Sequence, residues 1–344
     1  MNAPRPARAV WFTGPGVVEL RDEEVPTPGP GEIRVRAVAS AISHGTELKV
    51  LHGQIDPALD LDLPTIRGTY GFPIKYGYAS VGRVVDAGPG AELAPGNLVF
   101  ALHPHQTEYV VPATLATRLP TGVDAETAVF LANLETAVNI VQDAHPHLGE
   151  RVIVFGQGIV GLLVTQLLRR VGVGLLLAVD PLPRRRALAE EVGADLALAP
   201  SDDLSERVRA LTDGAGADLV VEASGHGSAL NAAIEAVAFG GTVLVSSWYG
   251  HAPVPVNLGG AFHRRRIRLR SSQVSTIDPS LQPRWTSARR LGFARDLLGR
   301  LTLNPLVSHR IPFDRAAEAY ARIAQRPEET TQVILTYPDE VPDV

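Results

Sequence analysis

The stretch Val152-Ile153-Val154-Phe155-Gly156-Gln157-Gly158-Ile159-Val160-Gly161 constrains the fold more than any other part of the chain. An apolar run suited to a buried parallel strand ends at Gly156, a tight turn follows, and residues 159 to about 171 carry a helical pattern. Each glycine answers a separate need. Gly156 closes the turn, Gly158 lets backbone approach a phosphate group, and Gly161 lets the helix pack closely on the strand. The start of that helix aims unpaired amides and the positive end of its dipole at the phosphate. Leu175-Leu176-Leu177-Ala178-Val179 reads as a second buried strand, and Asp180 at its carboxyl end is placed to accept hydrogen bonds from ribose hydroxyls. This order of strand, turn, helix, strand and acid predicts a nicotinamide dinucleotide site over Gly156, Gln157, Gly158, Ile159, Val160, Gly161 and Asp180. NAD is favoured over NADP. Arg184, Arg185 and Arg186 are expected to open the next helix and face solvent or the adenine, with Arg185 a candidate cofactor contact. They would hold a 2'-phosphate if Asp180 turned away.

The chain has 344 residues, enough for about two domains at roughly 100 to 200 residues each. Its 32 basic and 37 acidic residues leave a formal charge of -5, which gives no global reason to expect nucleic acid or an anionic membrane as partner. The absence of cysteine excludes disulfides, thiolate zinc sites and thiol nucleophiles. The polar residues 1–8 precede no apolar signal core, and no segment reaches the roughly 18 apolar residues of a membrane span. A cytoplasmic protein acting on a small molecule is the expectation.

Residues 9–13 and 17–21 flank Gly14-Pro15-Gly16, and 32–42, 80–86, 98–102 and 108–112 continue a series of short strands with Gly/Pro turns. That texture predicts a compact β-barrel-like domain. From Asp124 the pattern changes to a helix over 125–143, followed by alternating strands and helices to about residue 270, as in a doubly wound parallel sheet. Asp218-Leu219-Val220-Val221-Glu222 is a later strand that stops at Ala223-Ser224-Gly225. A helix over 228–238, a turn at Phe239-Gly240-Gly241 and a strand over 242–246 follow, placing Ser224 and Ser246 toward the nicotinamide. The tail holds a helix over 313–323 and a strand over 332–336.

These residues resemble the medium-chain dehydrogenase/reductase superfamily over nearly the whole chain. The likeness rests on Gly29-Pro30-Gly31-Glu32-Ile33-Arg34-Val35-Arg36, on Tyr76-Gly77-Tyr78-Ala79-Ser80-Val81-Gly82-Arg83-Val84-Val85-Asp86-Ala87-Gly88, on the glycine turn and on Val221-Glu222-Ala223-Ser224-Gly225. It implies an α/β chain: a GroES-like β-barrel catalytic domain over 1–123, completed by 305–344, and a doubly wound parallel-sheet Rossmann domain over 124–304. It also implies an active site in the cleft between them. A homodimer or homotetramer is expected.

The zinc pattern of the superfamily is broken. His44-Gly45-Thr46-Glu47 stands where zinc members have Cys-x-Thr-Asp, Gly77-Tyr78-Ala79 where they have Gly-His-Glu, and Glu135 falls at the third ligand position. The structural zinc lobe has no room between Pro95 and Glu108. Zinc catalysis needs three protein ligands and an open position, so no metal is expected unless His103 or His105 rebuilds the site. The resemblance therefore implies a zinc-independent enzyme. His44 is the acid/base, Tyr78 the donor to the substrate oxygen, Thr46 the relay hydroxyl and Glu135 the orienting group, and Lys49 replaces a relay histidine. Tyr78 packing under the nicotinamide, Glu135 pairing within its own helix and Thr46 capping a short helix are the structural alternatives.

The Ile42-to-Glu47 stretch is most similar to the bacteriochlorophyllide dehydrogenase-like branch. The implied reaction is hydride transfer between NAD(H) and a secondary alcohol or ketone. Quinone or enone reduction, and a non-catalytic dinucleotide-binding sensor, are the rival readings. The run His263-Arg264-Arg265-Arg266-Ile267-Arg268-Leu269-Arg270 is expected to be an edge strand at a subunit interface or a solvated face rather than a nucleic-acid patch. Residues 271–274 beside it are placed to reach the nicotinamide end.

Overall fold

The structure is a computed structural model that describes residues 5–61, 63–251 and 253–338. The first four residues of the polar N-terminus and the last six of the tail lie outside the described residues. Two compact units emerge, residues 1–132 with 295–344, and residues 133–294.

In the first unit β1 (Arg5–Gly14) and β2 (Val17–Val25) form a hairpin, and β1 also pairs with β4 (Ile74–Lys75). β3 (Glu32–Ile42) is the hub of a larger sheet. It pairs antiparallel with β5 (Ser80–Ala87) and β7 (Glu108–Pro112), and the sheet continues through β6 (Leu98–Ala101) to β8 (Ala116–Arg118). Alternation along β3 buries Ile33 and Val35 against Val84, Val99 and Tyr109, forming one small core. Between β3 and β4 lies the short helix α1 (Thr46–Leu51).

The helix expected over 125–143 is two helices, α2 (Ala125–Ala128) and α3 (Leu131–Ala144). Asp124 starts α2 by accepting the Thr127 N–H at 2.6 Å, a cap worth about 1 kcal/mol. Because α2 packs on β3 and β5, the unit boundary falls at Ala132 rather than at residue 123.

The second unit contains β9 (Arg151–Phe155), α4 (Ile159–Val171), β10 (Leu175–Val179), α5 (Pro183–Glu191), β11 (Leu196–Leu198) and α6 (Leu204–Leu211). It continues with β12 (Ala217–Glu222), α7 (Gly227–Ala236), β13 (Val237–Val245) and β14 (Arg268–Ser271). All neighbouring strands are parallel, in the order β11-β10-β9-β12-β13-β14. Chain direction across the sheet reverses between β9 and β12, the position where a doubly wound sheet opens a crevice at its carboxyl edge. The turn expected at residues 239–241 is absorbed into β13, which starts at Val237 and shifts register against β12 where Gly240 adopts φ +70°. Helix α7 ends correspondingly early. The arginine run contributes edge strand β14, and Arg265, Arg268 and Arg270 spend their guanidinium groups on Glu235, Gly240 and Asp278.

Helix α8 (Ser287–Leu297) leads back to the first unit, so the return occurs at Arg295 rather than at residue 305. There β15 (Val307–Pro312) pairs parallel with β16 (Gln332–Thr336), and β16 pairs antiparallel with β3. The tail helix begins as a 3-10 turn over Phe313–Arg315 and becomes α9 (Ala316–Gln325). Its Ala316, Ala319, Tyr320 and Ile323 pack with Phe12, Ile42 and Leu335 in the second core of this unit. Among the described residues no helix is long and apolar enough to cross a membrane.

Candidate active site

At the carboxyl edge of the second unit, β9 delivers Gly156 into φ +85°, a left-handed conformation that a side chain resists. A Cβ at Gly156 would lie 2.6 Å from the Ser224 backbone, and one at Gly161 would lie 1.8 Å from the Gly156 carbonyl oxygen. These two glycines therefore bring strand, turn and helix together. Gly158 is different. It precedes Ile159 as the cap of α4, and a Cβ there would meet nothing within 4 Å. The backbone thus presents open space beside a helix start whose first intrahelical bond is Leu162 N–H to Gly158 O, leaving the amides of Ile159, Val160 and Gly161 with no acceptor within the helix. That is the arrangement a pyrophosphate needs.

Gln157 faces inward. Its amide donates to the Val154 carbonyl at 3.0 Å and accepts from the Thr165 hydroxyl at 3.1 Å, which pins the turn to β9 and α4. Its backbone N–H donates to Asp180 Oδ2 at 2.7 Å, and Leu182 N–H donates to Asp180 Oδ1 at 2.9 Å. Each carboxylate oxygen keeps a lone pair for a ribose hydroxyl. Arg185 approaches Asp180 at 4.0 Å, and Arg186 donates to the Asp180 and Pro181 carbonyls. Two of the three arginines thus turn toward the Asp180 loop. The space at Gly158 and the acceptors on Asp180 fit a dinucleotide.

Ser224 and Ser246 stand at the same edge but turn back to Glu222. The Ser224 N–H and hydroxyl both donate to Glu222 Oε1, while the Ser246 N–H and hydroxyl donate to the Glu222 carbonyl at 2.9 and 2.8 Å. Glu222 closes β12 directly after the apolar Leu219-Val220-Val221 and falls outside the site residues read from sequence; a carboxylate at the end of that apolar run is the available signal.

Glu135, on α3, does not stand alone as an orienting carboxylate. Arg290 of α8, only 2% exposed, holds it with both Nε and Nη2 at 3.1 Å and donates its other hydrogens to Asn139 and to the Val274 and Thr276 carbonyls. All five guanidinium N–H groups are spent. Burial raises the Glu135 pKa, and the Arg290 charge opposes that shift. Ser272, expected to reach the nicotinamide, instead donates to Asp143 at 2.6 Å. Arg290 was missed because its partners lie far away in sequence.

In the first unit Ser43, His44 and Thr46 form the turn into α1. The Tyr78 phenol lies near the Ser43 and Thr46 side chains, and burial, followed by the Glu47 carboxylate, pushes its pKa up to about 12. It is a proton donor throughout the neutral range. Tyr76 meets Tyr78 edge-on, with ring centroids 6.3 Å apart.

Beneath the turn Glu47 is fully buried. It accepts the Ser43 N–H at 2.8 Å, pairs with His105 Nε2 at 3.0 Å and accepts the Tyr320 hydroxyl. The other His105 nitrogen bonds Ser40 Oγ at 2.7 Å, and Ser40 bonds Tyr337 at 2.8 Å. His103 stacks on Tyr109 at 3.8 Å, and burial pulls its pKa down to about 3. Both histidines are interior groups, and His105 serves Glu47. Among the described residues no group of three or more His, Cys, Asp or Glu is placed to hold a metal ion. Tyr78 stands at a position where zinc members carry a ligand, and Glu135 is tied to Arg290.

Residues 160–291 match the family model described as zinc-binding dehydrogenase. D-guloside 3-dehydrogenase of Escherichia coli K12 is 27% identical, covering 94% of this chain and 98% of that one. The 2-desacetyl-2-hydroxyethyl bacteriochlorophyllide A dehydrogenase of Cereibacter sphaeroides is 28% identical, with coverage of 93% and 95%. These matches agree with the resemblance to the medium-chain dehydrogenase/reductase superfamily and extend it over nearly the whole chain. Like the alcohol and polyol dehydrogenases among these relatives, the protein is an oxidoreductase acting on alcohols. Its fold is shared with a solved short chain alcohol dehydrogenase from Escherichia coli CFT073 complexed with NADH, at a TM-score of 0.79, 21% identity and coverage of 96% and 99%.

Proposed function

We propose that the protein is a zinc-independent medium-chain dehydrogenase/reductase that prefers NAD and interconverts a secondary alcohol and a ketone. The observation that carries the reading is the Tyr78 phenol, packed edge-on against Tyr76 and kept protonated by burial and the Glu47 carboxylate. When bound, the dinucleotide supplies or removes the hydride. Tyr78 donates a hydrogen bond to the substrate oxygen as negative charge develops on it, the role an electrophile must fill for carbonyl reduction. His44 delivers or accepts the proton, and Thr46 links it to the phenol. Glu135 enters only as the partner of Arg290. Gly158 and Asp180 support dinucleotide binding, and the Asp180 carboxylate disfavours a 2'-phosphate by charge.

Support for a secondary hydroxyl comes from the guloside relative, since carbon 3 of such a ring carries one. Parallel panels of ketones and enones, each assayed with NADH, test the proposal. Turnover of ketones that falls sharply in Tyr78→Phe is expected. Turnover confined to enones would replace it with the double-bond reductase reading, and NADH binding without any turnover would favour a sensor.

A further inference from the structure

Glu222 is fully buried at the carboxyl end of β12, where an uncompensated carboxylate is costly. Its oxygens are all engaged. Oε1 accepts the Ser224 N–H at 2.7 Å and the Ser224 hydroxyl, Oε2 accepts the Tyr249 hydroxyl at 2.7 Å, and the backbone carbonyl takes both donors of Ser246. Gly225 N–H then donates to Ser247 Oγ at 2.8 Å, closing a second tie between the loops after β12 and β13. The first of these loops touches the glycine turn directly, because the Ser224 backbone fills the space where a Gly156 side chain would stand. A packing role alone would be met by an apolar or amide side chain. The charge is matched instead to three donors on two loops.

The sheet order decides which half of a dinucleotide these loops serve. Asp180 lies on β10, in the half β11-β10-β9, and takes the adenosine ribose. β12 and β13 belong to the other half, across the reversal in chain direction. We propose that Glu222 is a positioning residue for the nicotinamide half of the cofactor, locking the Ser224 turn and residues 246–249 against the glycine turn. Tyr249 is its second arm. Burial and the Glu222 carboxylate both raise the Tyr249 pKa, so the phenol remains a donor. The inference rests on the dinucleotide reading of this edge.

The test compares two ligands on the full chain: NADH, which spans both halves, and ADP, which occupies only the adenosine half. Titrations follow wild type, Glu222→Gln and Tyr249→Phe, with NADH fluorescence as one readout and calorimetry for ADP. NADH should bind about tenfold more weakly to both variants while ADP affinity stays within about twofold. Unchanged NADH affinity, or a parallel loss of NADH and ADP, overturns the positioning role. A wild-type protein that binds neither ligand overturns the dinucleotide reading itself. Tyr249 is half-buried, so Tyr249→Phe decides the matter if Glu222→Gln does not fold.

Discussion

The backbone N–H of Gln157 donates to the Asp180 carboxylate at 2.7 Å, so the glycine turn after β9 and the acid after β10 form one hydrogen-bonded unit. Asp180→Ala should therefore weaken both NAD and NADP. NAD should lose more, roughly tenfold or beyond, because it also loses the ribose acceptor. Calorimetric titration with both nucleotides checks this. Equal affinities in mutant and wild type would remove Asp180 from the site.

Gly158 and Gly161 should separate binding from folding. The space at Gly158 is open and its φ is -70°, so Gly158→Ala should change stability by no more than about 0.5 kcal/mol while weakening the dinucleotide. Gly161→Ala forces a methyl against the Gly156 carbonyl and should destabilise the protein by about 2 to 3 kcal/mol. Urea unfolding of each, paired with NADH titration, distinguishes the two outcomes.

Tyr78→Phe removes the donor without removing the ring. With a ketone substrate, kcat should fall by about 100-fold or more while KM changes little. Chelator treatment should leave wild-type turnover unchanged. Because the phenol holds its proton up to about pH 12, no loss of activity between pH 7 and 10 should trace to Tyr78, a point checked by comparing the wild-type and Tyr78→Phe pH profiles.

His103 gives the fold an acid sensitivity. Its pKa is lowered to about 3 in the folded state, so the unfolded chain binds the extra proton first as the pH falls below 6.5. Stability should be full above that value and decline as the pH falls toward 3, with a contribution on the order of 5 kcal/mol at the limit. His103→Phe, which retains the stacking on Tyr109, should flatten this part of the stability curve in urea titrations at pH 4 and pH 7.

Much of the second unit is legible locally. Strand β10 and residues 152–155 of β9 are unbroken apolar runs followed by acid and glycine respectively, and α4 runs over Ile159–Val171 as its periodicity predicts. The pattern is weakest where tertiary contacts override it. A continuous helical period crosses the break at Val129 and Phe130 between α2, which packs on β3 and β5, and α3. Gly240 inside β13 reads as a turn because glycine at positive φ serves a strand irregularity as readily as a loop. The candidate sites were harder still. His105 reaches Glu47 across 58 residues and Tyr320 reaches it across 273, distances that no local spacing encodes. Isolated in sequence, His103 and His105 have the polarity of surface residues.

The pairing of Ile42 on β3 with Val333 on β16 sets an order on how the two units are completed during synthesis. Every strand of the six-stranded sheet has been synthesised once Ser271 is made, and its neighbours are joined by parallel crossovers. The barrel must wait. Its central strand remains with an open hydrogen-bonding edge until residues 332–336 arrive, so the nascent chain carries an exposed β edge through the making of the whole second unit. Charge and chaperone contacts near residues 39–42 should therefore govern the yield of native protein more strongly than equivalent changes in β9 or β10.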